Sequence, residues 1–438
     1  MENKKKKTVS FVTLGCKVNQ YESNAMAQKF IEHGYQIVNF ESIADIYIIN
    51  TCTVTNMSDK KSRQIIRRAK KINKDALIVA TGCYAQVAKD ELEKINDIDL
   101  ILGVNEKNNI VEYIEQFSNK DEHEEFVSDI MSVKKYEDFG SIGYTEKTRG
   151  VIKVQDGCDR FCSYCIIPYA RGRVRSRKID SVVAEVEKMV QEGIQEVVVT
   201  GIHVASYGKD FKENVGLIDL LAEINKIEGL QRIRLSSIEP TIITEEFISK
   251  LKKLEKICEH FHLSLQSGCN NTLKRMNRRY TIEQFKEIVN LIRREYENVA
   301  LTTDIIVGFP GETEEEFNTT YENLKEINFY KLHVFKYSQR EGTKAAIMEN
   351  QISPEIKEKR SEILIKLTEE QKHNFHRKYI GKSERVLFEQ YEGDYIKGHT
   401  SNYIMVYVKK EDANENEMKE VFLESEFRDG IKGSVIQM

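Results

Sequence analysis

Cys158-Asp159-Arg160-Phe161-Cys162-Ser163-Tyr164-Cys165 is the stretch on which the reading of this chain turns. It is a C-x3-C-x2-C run lying just beyond the strand-like segment Val151–Gln155. Three thiolates on one short loop can bind three irons of a cubane cluster and leave the fourth iron without a protein ligand. An open iron can chelate a small molecule, here the amino and carboxylate groups of S-adenosylmethionine (SAM), so that one-electron reduction cleaves it to a radical. A zinc knuckle is the rival reading. It normally takes four ligands, and no fourth Cys or His lies close by in sequence.

Beyond this loop the chain alternates strands and helices. Strands are expected near Val151–Gln155, Glu196–Thr200, Arg232–Ser236, Phe261–Leu265, Ala300–Val307 and Tyr330–Phe335, each pair separated by a helical pattern. Six such units fit an open partial barrel better than the eight of a closed one. A long charged helix is expected from about Ile352 to Tyr379. After it, short apolar runs between turn-forming residues (Glu384–Phe388, Tyr403–Val408, Glu420–Leu423) suggest a small antiparallel β-barrel.

The N-terminal part carries its own rhythm. Val9–Leu14, Asp45–Ile49, Leu77–Ala80 and Asp99–Leu102 are apolar runs separated by amphipathic segments, which argues for an α/β unit with a largely parallel sheet. Cys16, Cys52 and Cys83 each follow one of these strands directly. Residues just past the carboxyl ends of parallel strands converge on the crevice where open α/β sheets bind ligands, so cysteines more than thirty residues apart can meet there. The expectation is a second three-thiolate site. A single cysteine after a strand is more often a small buried hydrophobe, which is the reading kept for Cys258 and Cys269.

Composition limits the alternatives. With 438 residues, 40% hydrophobic and 31% charged, and a mean hydropathy of -0.49, the chain is of the soluble globular kind, with length for about three domains. No run is apolar enough for a bilayer span, and no signal peptide is recognisable, so a cytoplasmic, membrane-free protein is expected. Eight cysteines in such a chain are too sparse for a disulfide scaffold. The net charge of -4 says little about polyanionic partners, because local patches decide that. Two patches stand out: Lys60, Lys61, Arg63, Arg67, Arg68, Lys70, Lys71 and Lys74 without an intervening acid, and Arg171-Gly-Arg-Val-Arg-Ser-Arg-Lys178 just after the cysteine loop. Both are expected to contact RNA phosphates. The histidines are scattered, and no His-centred acid–base site is expected.

The cysteine loop, Tyr164 before its last cysteine and the six strand units resemble the radical-SAM superfamily. With Thr13-Leu-Gly-Cys-Lys-Val-Asn-Gln20 and Asn50-Thr-Cys-Thr-Val-Thr55, the chain is similar to its methylthiotransferase family over its whole length. That resemblance implies an N-terminal cluster domain (7–117), a linker (118–147), a radical-SAM core (148–374) and a C-terminal OB-like TRAM domain (377–438) that grips RNA, with Tyr391, Tyr395, Tyr403 and Tyr407 available for stacking. It implies two 4Fe–4S clusters, on Cys16, Cys52 and Cys83 and on Cys158, Cys162 and Cys165. For SAM it implies contacts from Tyr164, from Thr200 and Gly201, from Ser264 and Gln266, from Arg278, and from Val307 and Gly308, with Glu239 a further polar candidate.

Members of that family act on a modified adenosine beside the tRNA anticodon or on a ribosomal-protein aspartate. Leu14–Glu22, Val199–His203 and Arg234–Pro240 are most similar to the branch acting on threonylcarbamoyladenosine. The implied reaction uses SAM both as radical source and as methyl donor, with the tRNA anticodon loop, an electron donor and a sulfur source as partners. Isopentenyladenosine, the ribosomal-protein aspartate, and a non-enzymatic metal-containing RNA-binding protein remain alternatives.

Overall fold

The computed structural model describes residues 6–117, 123–143 and 148–436. The first sheet comprises β1 (Thr8–Thr13), β2 (Gln36–Ile37), β3 (Ile46–Thr51), β4 (Leu77–Gly82), β5 (Leu100–Leu102) and β6 (Glu124–Phe126), all parallel, in the order β2-β1-β3-β4-β5-β6. A parallel sheet is covered on both faces and needs apolar side chains on both. Tyr47 and Ile49 accordingly pack into one core cluster, and Ile46 and Ile48 into another. Helices α1 (Lys17–Glu32), α2 (Asn56–Ile72) and α3 (Cys83–Val87) follow β1, β3 and β4. β6 lies inside the stretch 118–147 expected as a linker and extends this sheet. Residues 1–5, 118–122, 144–147 and 437–438 lie outside the described residues.

The core is a split partial barrel. Its strands are β7 (Gly150–Asp156), β8 (Arg175–Ser176), β9 (Glu196–Gly201), β10 (Arg232–Leu235), β11 (Ser237–Ile238), β12 (His260–Leu263), β13 (Ala300–Val307) and β14 (Lys331–Lys336). They form two four-stranded sheets, β10-β9-β7-β8 and β11-β12-β13-β14, with a parallel bridge from Ile233 to Ile257 at the seam. Apart from the short antiparallel β8, all pairs are parallel, and the long strands run in chain order.

Successive side chains of a strand face opposite ways. Ile152, Val154, Val197, Val199, Ile233, Phe261, Leu263 and Leu332 join the main hydrophobic core beneath the helices. Their neighbours Lys153, Glu196, Arg232, Arg234, His260, His262, Thr302, Asp304 and His333 therefore face inward. Where a closed (β/α)8 barrel fills its interior with branched apolar residues, this one has a polar lumen.

The helix Pro354–Arg377 leads to a closed barrel, β15-β16-β17-β19-β18, built from β15 (Ser383–Glu392), β16 (Tyr395–His399), β17 (Met405–Lys409), β18 (Met418–Phe427) and β19 (Gly430–Val435). Val386, Phe388, Ile396, Val406, Val421 and Ile431 fill it. Its seat on the core is polar: Arg232 donates to the His399 carbonyl (2.9 Å) and Arg234 to the Ser401 carbonyl (2.9 Å). Tyr403 is inserted beneath the lumen, stacked between His260 (4.7 Å) and His399 (4.6 Å), at a left-handed φ of 69°. A tyrosine holds that backbone conformation only where its surroundings impose it. Tyr403 and the buried Tyr407, whose hydroxyl donates to Asp429, are thus engaged inside the protein, whereas Tyr391 is exposed. No helix among the described residues is long and apolar enough to cross a membrane.

Candidate active site at two cysteine triads

The carboxyl ends of β1, β3 and β4 bring Cys16, Cys52 and Cys83 together. Asn19, in the first turn of α1, ties two of these ends by donating to the carbonyls of Leu14 (2.7 Å) and Thr51 (3.0 Å). Two glycines allow the close approach: at Gly15 (φ +97°) a Cβ would stand 2.7 Å from the Cys52 sulfur, and at Gly82 (φ +99°) 2.5 Å from the Thr51 carbonyl. Burial, with Cys83 and Cys16 nearby, pushes the Cys52 thiol up to about 11. Burial also raises Cys83, opposed by Arg171. Cys16 remains exposed.

Cys158, Cys162 and Cys165 occupy the loop after β7. Chain segments beyond β12 and β14 hold it: Ser163 donates its N–H to Met276 (3.1 Å) and its hydroxyl to the Arg275 carbonyl (2.8 Å), and the Ala345 N–H donates to Ser163 (2.7 Å). Burial, with the neighbouring sulfurs, pushes Cys158 up to about 11 and Cys165 to about 12. Arg278 donates to the Cys162 sulfur at 3.4 Å. A cavity of about 120 Å3 opens beside Cys162 and Cys165, closed by Phe161, Tyr169 and Lys344.

Arg171 ties the core to the N-terminal triad. It ends the helix Ile167–Arg171, just past Cys165, and its Nε donates to the Cys83 sulfur at 3.2 Å. Its Nη groups donate to Asn19 (2.6 Å) and to both oxygens of Glu22. Glu22 also pairs with Lys107 and with Lys153 (2.7 Å), which reaches Asp156 at 2.6 Å. These side chains are fully buried or nearly so. Burial opposes ionisation of Glu22, yet Arg171, Lys107 and Lys153 hold its carboxyl well below the usual range. A charge removed from water is tolerated on these terms, when it is paired and hydrogen-bonded.

This corrects the expectation for residues 171–178. Arg171, Arg175 and Arg177 are buried, Arg177 on Glu185 and the Tyr21 hydroxyl (3.1 Å), and only Arg173 and Lys178 reach the surface. On α2 the pattern divides. Arg68 pairs with Glu41 (2.7 Å), Arg63 donates to Tyr84 (2.5 Å) and Lys70 lies 3.4 Å from Asp99. Lys60, Lys61, Arg67, Lys71 and Lys74 are exposed and have no partner among the described residues.

The other expected site residues lie at strand ends. Thr200 and Gly201 close β9, and the turn behind them is fixed by Gln155, whose Oε1 accepts from the His203 N–H (2.7 Å). The Ser264 carbonyl accepts from Arg278 (2.9 Å) and from Tyr280 (2.5 Å), and Gln266 has a left-handed φ of 71°. Gly308 donates its N–H to Glu312 (3.1 Å). The Val307 side chain is packed in the main core, so only its backbone faces the strand end. Tyr164 packs edge-on against Phe309 at 6.4 Å.

Glu239 is engaged by Arg160 Nε (2.6 Å) and His203 Nε2 (2.6 Å), and His203 Nδ1 meets the Ser206 hydroxyl at 2.7 Å. His203, one of the scattered histidines, thus serves to fix Glu239. Arg160 sits inside the cysteine loop and His203 two residues past Gly201, so their positions were the available signal. Arg171 was read as an RNA-facing cation and Lys153 was not singled out, because the carboxylate that both of them meet, Glu22, is remote in sequence.

The residues fit iron–sulfur clusters. Each triad is a set of free thiols, and in each an arginine donates to one sulfur, which suits ligands of an anionic cluster. No three His, Cys, Asp or Glu groups among the described residues are arranged to hold one metal ion. A cubane makes no such demand, because each thiolate binds a different iron.

The chain matches the family described as the radical SAM superfamily over residues 152–324 and the one described as uncharacterized protein family UPF0004 over residues 8–103. It is 44% identical over 408 residues to threonylcarbamoyladenosine tRNA methylthiotransferase MtaB of Bacillus subtilis, spanning 92% of this chain and 90% of that protein. It is 34% identical over 411 residues to tRNA-2-methylthio-N(6)-dimethylallyladenosine synthase of Finegoldia magna, spanning 92% and 88%. A solved radical S-adenosylmethionine methyltransferase, TsrM of Kitasatospora setae, shares the fold at a TM-score of 0.58 and 18% identity, covering 78% of this chain and 77% of that one.

Proposed function

Because the chain belongs to the radical-SAM tRNA methylthiotransferase family, we propose that it attaches a methylthio group to C2 of N6-threonylcarbamoyladenosine at position 37 of tRNA. The observation that carries this reading is the pair of cysteine triads, with Arg171 of the core donating to Cys83 of the N-terminal one at 3.2 Å. The threonylcarbamoyl substrate is supported by the higher identity to the MtaB relative than to the dimethylallyladenosine enzyme, 44% against 34% over similar spans.

We assign Cys158, Cys162 and Cys165 to one 4Fe–4S cluster and Cys16, Cys52 and Cys83 to a second. When bound, the first together with SAM supplies a radical able to remove the hydrogen on C2, a carbon with no acidic proton, and the second supplies sulfur. The chain's own residues orient and shield. Arg278 is placed to pair with the SAM carboxylate, while the backbone at Thr200 and Gly201 and at Val307 and Gly308, with Ser264 and Gln266, offers polar contacts at the strand ends. Glu239, fixed by Arg160 and His203, adds a carboxylate there. Arg171 holds the N-terminal triad against the core, so that proximity is built in before substrate arrives.

The exposed cations of α2 are assigned to phosphates of the anticodon arm, and the C-terminal barrel, with Tyr391 exposed, to a second RNA contact. An electron donor and a sulfur source complete the partners, and the cytoplasm is the compartment that offers tRNA and keeps thiols reduced. Nucleoside mass spectrometry of tRNA from cells with and without the gene tests the proposal. Loss of 2-methylthio-threonylcarbamoyladenosine, with its unmethylthiolated precursor accumulating, is expected. Unchanged tRNA, or loss of the isopentenyl derivative instead, contradicts it.

A further inference from the structure

The loop that follows β14 reaches both cysteine triads. On the N-terminal side the buried Arg340 donates through Nη2 to the Thr53 hydroxyl (2.5 Å) and through Nη1 to Asn56 (2.7 Å) and Asp59 (2.5 Å). The Ser338 hydroxyl accepts from the Asn56 N–H at 3.3 Å. Thr53 follows Cys52, and Asn56 and Asp59 stand in the first turn of α2. On the core side the Ala345 N–H donates to the carbonyl of Ser163 (2.7 Å), which lies between Cys162 and Cys165. Thr343 and Lys344 line the cavity beside those two sulfurs.

This loop is braced along its length. Thr343 donates its N–H (3.1 Å) and its hydroxyl (2.7 Å) to the Arg340 carbonyl, Gln339 donates to the Ala346 carbonyl (2.6 Å), and Gln351 to the Ala345 carbonyl (3.0 Å). Arg340 and Ala345 are thus held on one hydrogen-bonded turn, so a displacement at one grip is passed to the other. The Arg340–Asp59 pair is not arranged for stability alone. Arg340 Nε and Asp59 Oδ1 are buried without a hydrogen-bond partner among the described residues, and native proteins rarely keep such orphaned atoms. Arg171 already holds the N-terminal unit at Cys83. One point of attachment leaves a pivot; a second, beside Cys52, removes it.

Resting on the two-cluster reading above, we propose that Arg340 is a positioning residue that fixes the separation of the two triads, so that hydrogen removal and sulfur delivery meet at one carbon. Placement matters at that scale, because an error of about 1 Å can cost on the order of a hundredfold in rate.

Arg340→Ala, Arg340→Lys and Asp59→Asn are compared with the parent, each reconstituted with iron and sulfide without oxygen and matched for iron content. Hydrogen exchange is measured at residues 53–59. In a second measurement, 5′-deoxyadenosine and methylthio-nucleoside are assayed together in a reduced reaction with SAM and an anticodon stem-loop RNA carrying threonylcarbamoyladenosine. Arg340→Ala should speed exchange at 53–59 about tenfold, and should raise the ratio of 5′-deoxyadenosine released to methylthio product about tenfold. Asp59→Asn should move both in the same direction by less. Arg340→Lys, which keeps the charge without the planar fork, should restore part of each. These two variants decide the matter where Arg340→Ala does not fold. A protein that is merely less stable loses both products together, so an unchanged ratio overturns the assignment, as does unchanged exchange. A parent that makes methylthio product only on an isopentenyl RNA overturns the substrate assignment instead, and the ratio is then read on that RNA.

Discussion

Glu196, at the start of β9, shows how single charges hold this molecule together. Its carboxylate lies 2.6 Å from Arg234, 3.6 Å from Arg232 and 4.0 Å from Arg149, and Arg232 and Arg234 donate in turn to carbonyls of the C-terminal barrel. Burial opposes its ionisation, but the arginines win and bring its pKa from 4.5 down to about 2. A carboxyl depressed on folding contributes stability that is complete above about pH 4.5 and is lost as pH falls toward 2. The shift corresponds to about 3 kcal/mol. Glu196→Gln should therefore lower unfolding stability by about that amount at pH 7, and the gap to the parent should shrink below about pH 4.5 and close near pH 2. Denaturant unfolding at a series of pH values measures this, and a gap independent of pH would show that the charge is not what stabilises the junction.

At the scale of elements, α2 and the segment 171–178 look alike in sequence and differ in the fold. α2 carries its cations on a helix whose apolar stripe, Ile66 and Ala69, faces the sheet, so most of the charge must point outward. Charge reversal at Lys60, Lys61 and Arg67 should weaken tRNA binding and reduce the slope of log affinity against log salt by about one for each phosphate no longer neutralised. An unchanged slope in a filter-binding titration would remove α2 from the RNA interface. The segment 171–178 was misread because the partner of Arg171, Glu22, is remote in sequence and because a charge run does not announce which way it faces. Strands were legible where apolar runs were long: the expected Ala300–Val307 is β13 itself. β6, with two glutamates in three residues, and β16 and β19, which contain glycine, gave no such run. The inward polar stripe was legible in principle from Arg-Ile-Arg-Leu and His-Phe-His-Leu, whose period of two separates core from lumen.

At the scale of the whole molecule, the cysteine positions were legible because strand ends are where parallel sheets assemble sites, and both triads lie at such ends. How the N-terminal sheet is tied to the core was not legible, because it depends on the buried pair of Arg171 and Glu22, 149 residues apart. The central claim is a division of labour: the core triad generates the radical and the N-terminal triad delivers sulfur. The most direct measurement reconstitutes the Cys16→Ala, Cys52→Ala, Cys83→Ala variant with iron and sulfide without oxygen, then assays 5′-deoxyadenosine and methylthio-nucleoside in one reduced reaction with tRNA. The account predicts about half the iron of the parent, which should hold about eight per chain, continued release of 5′-deoxyadenosine, and no methylthio product. A folded variant that still methylthiolates tRNA would contradict it.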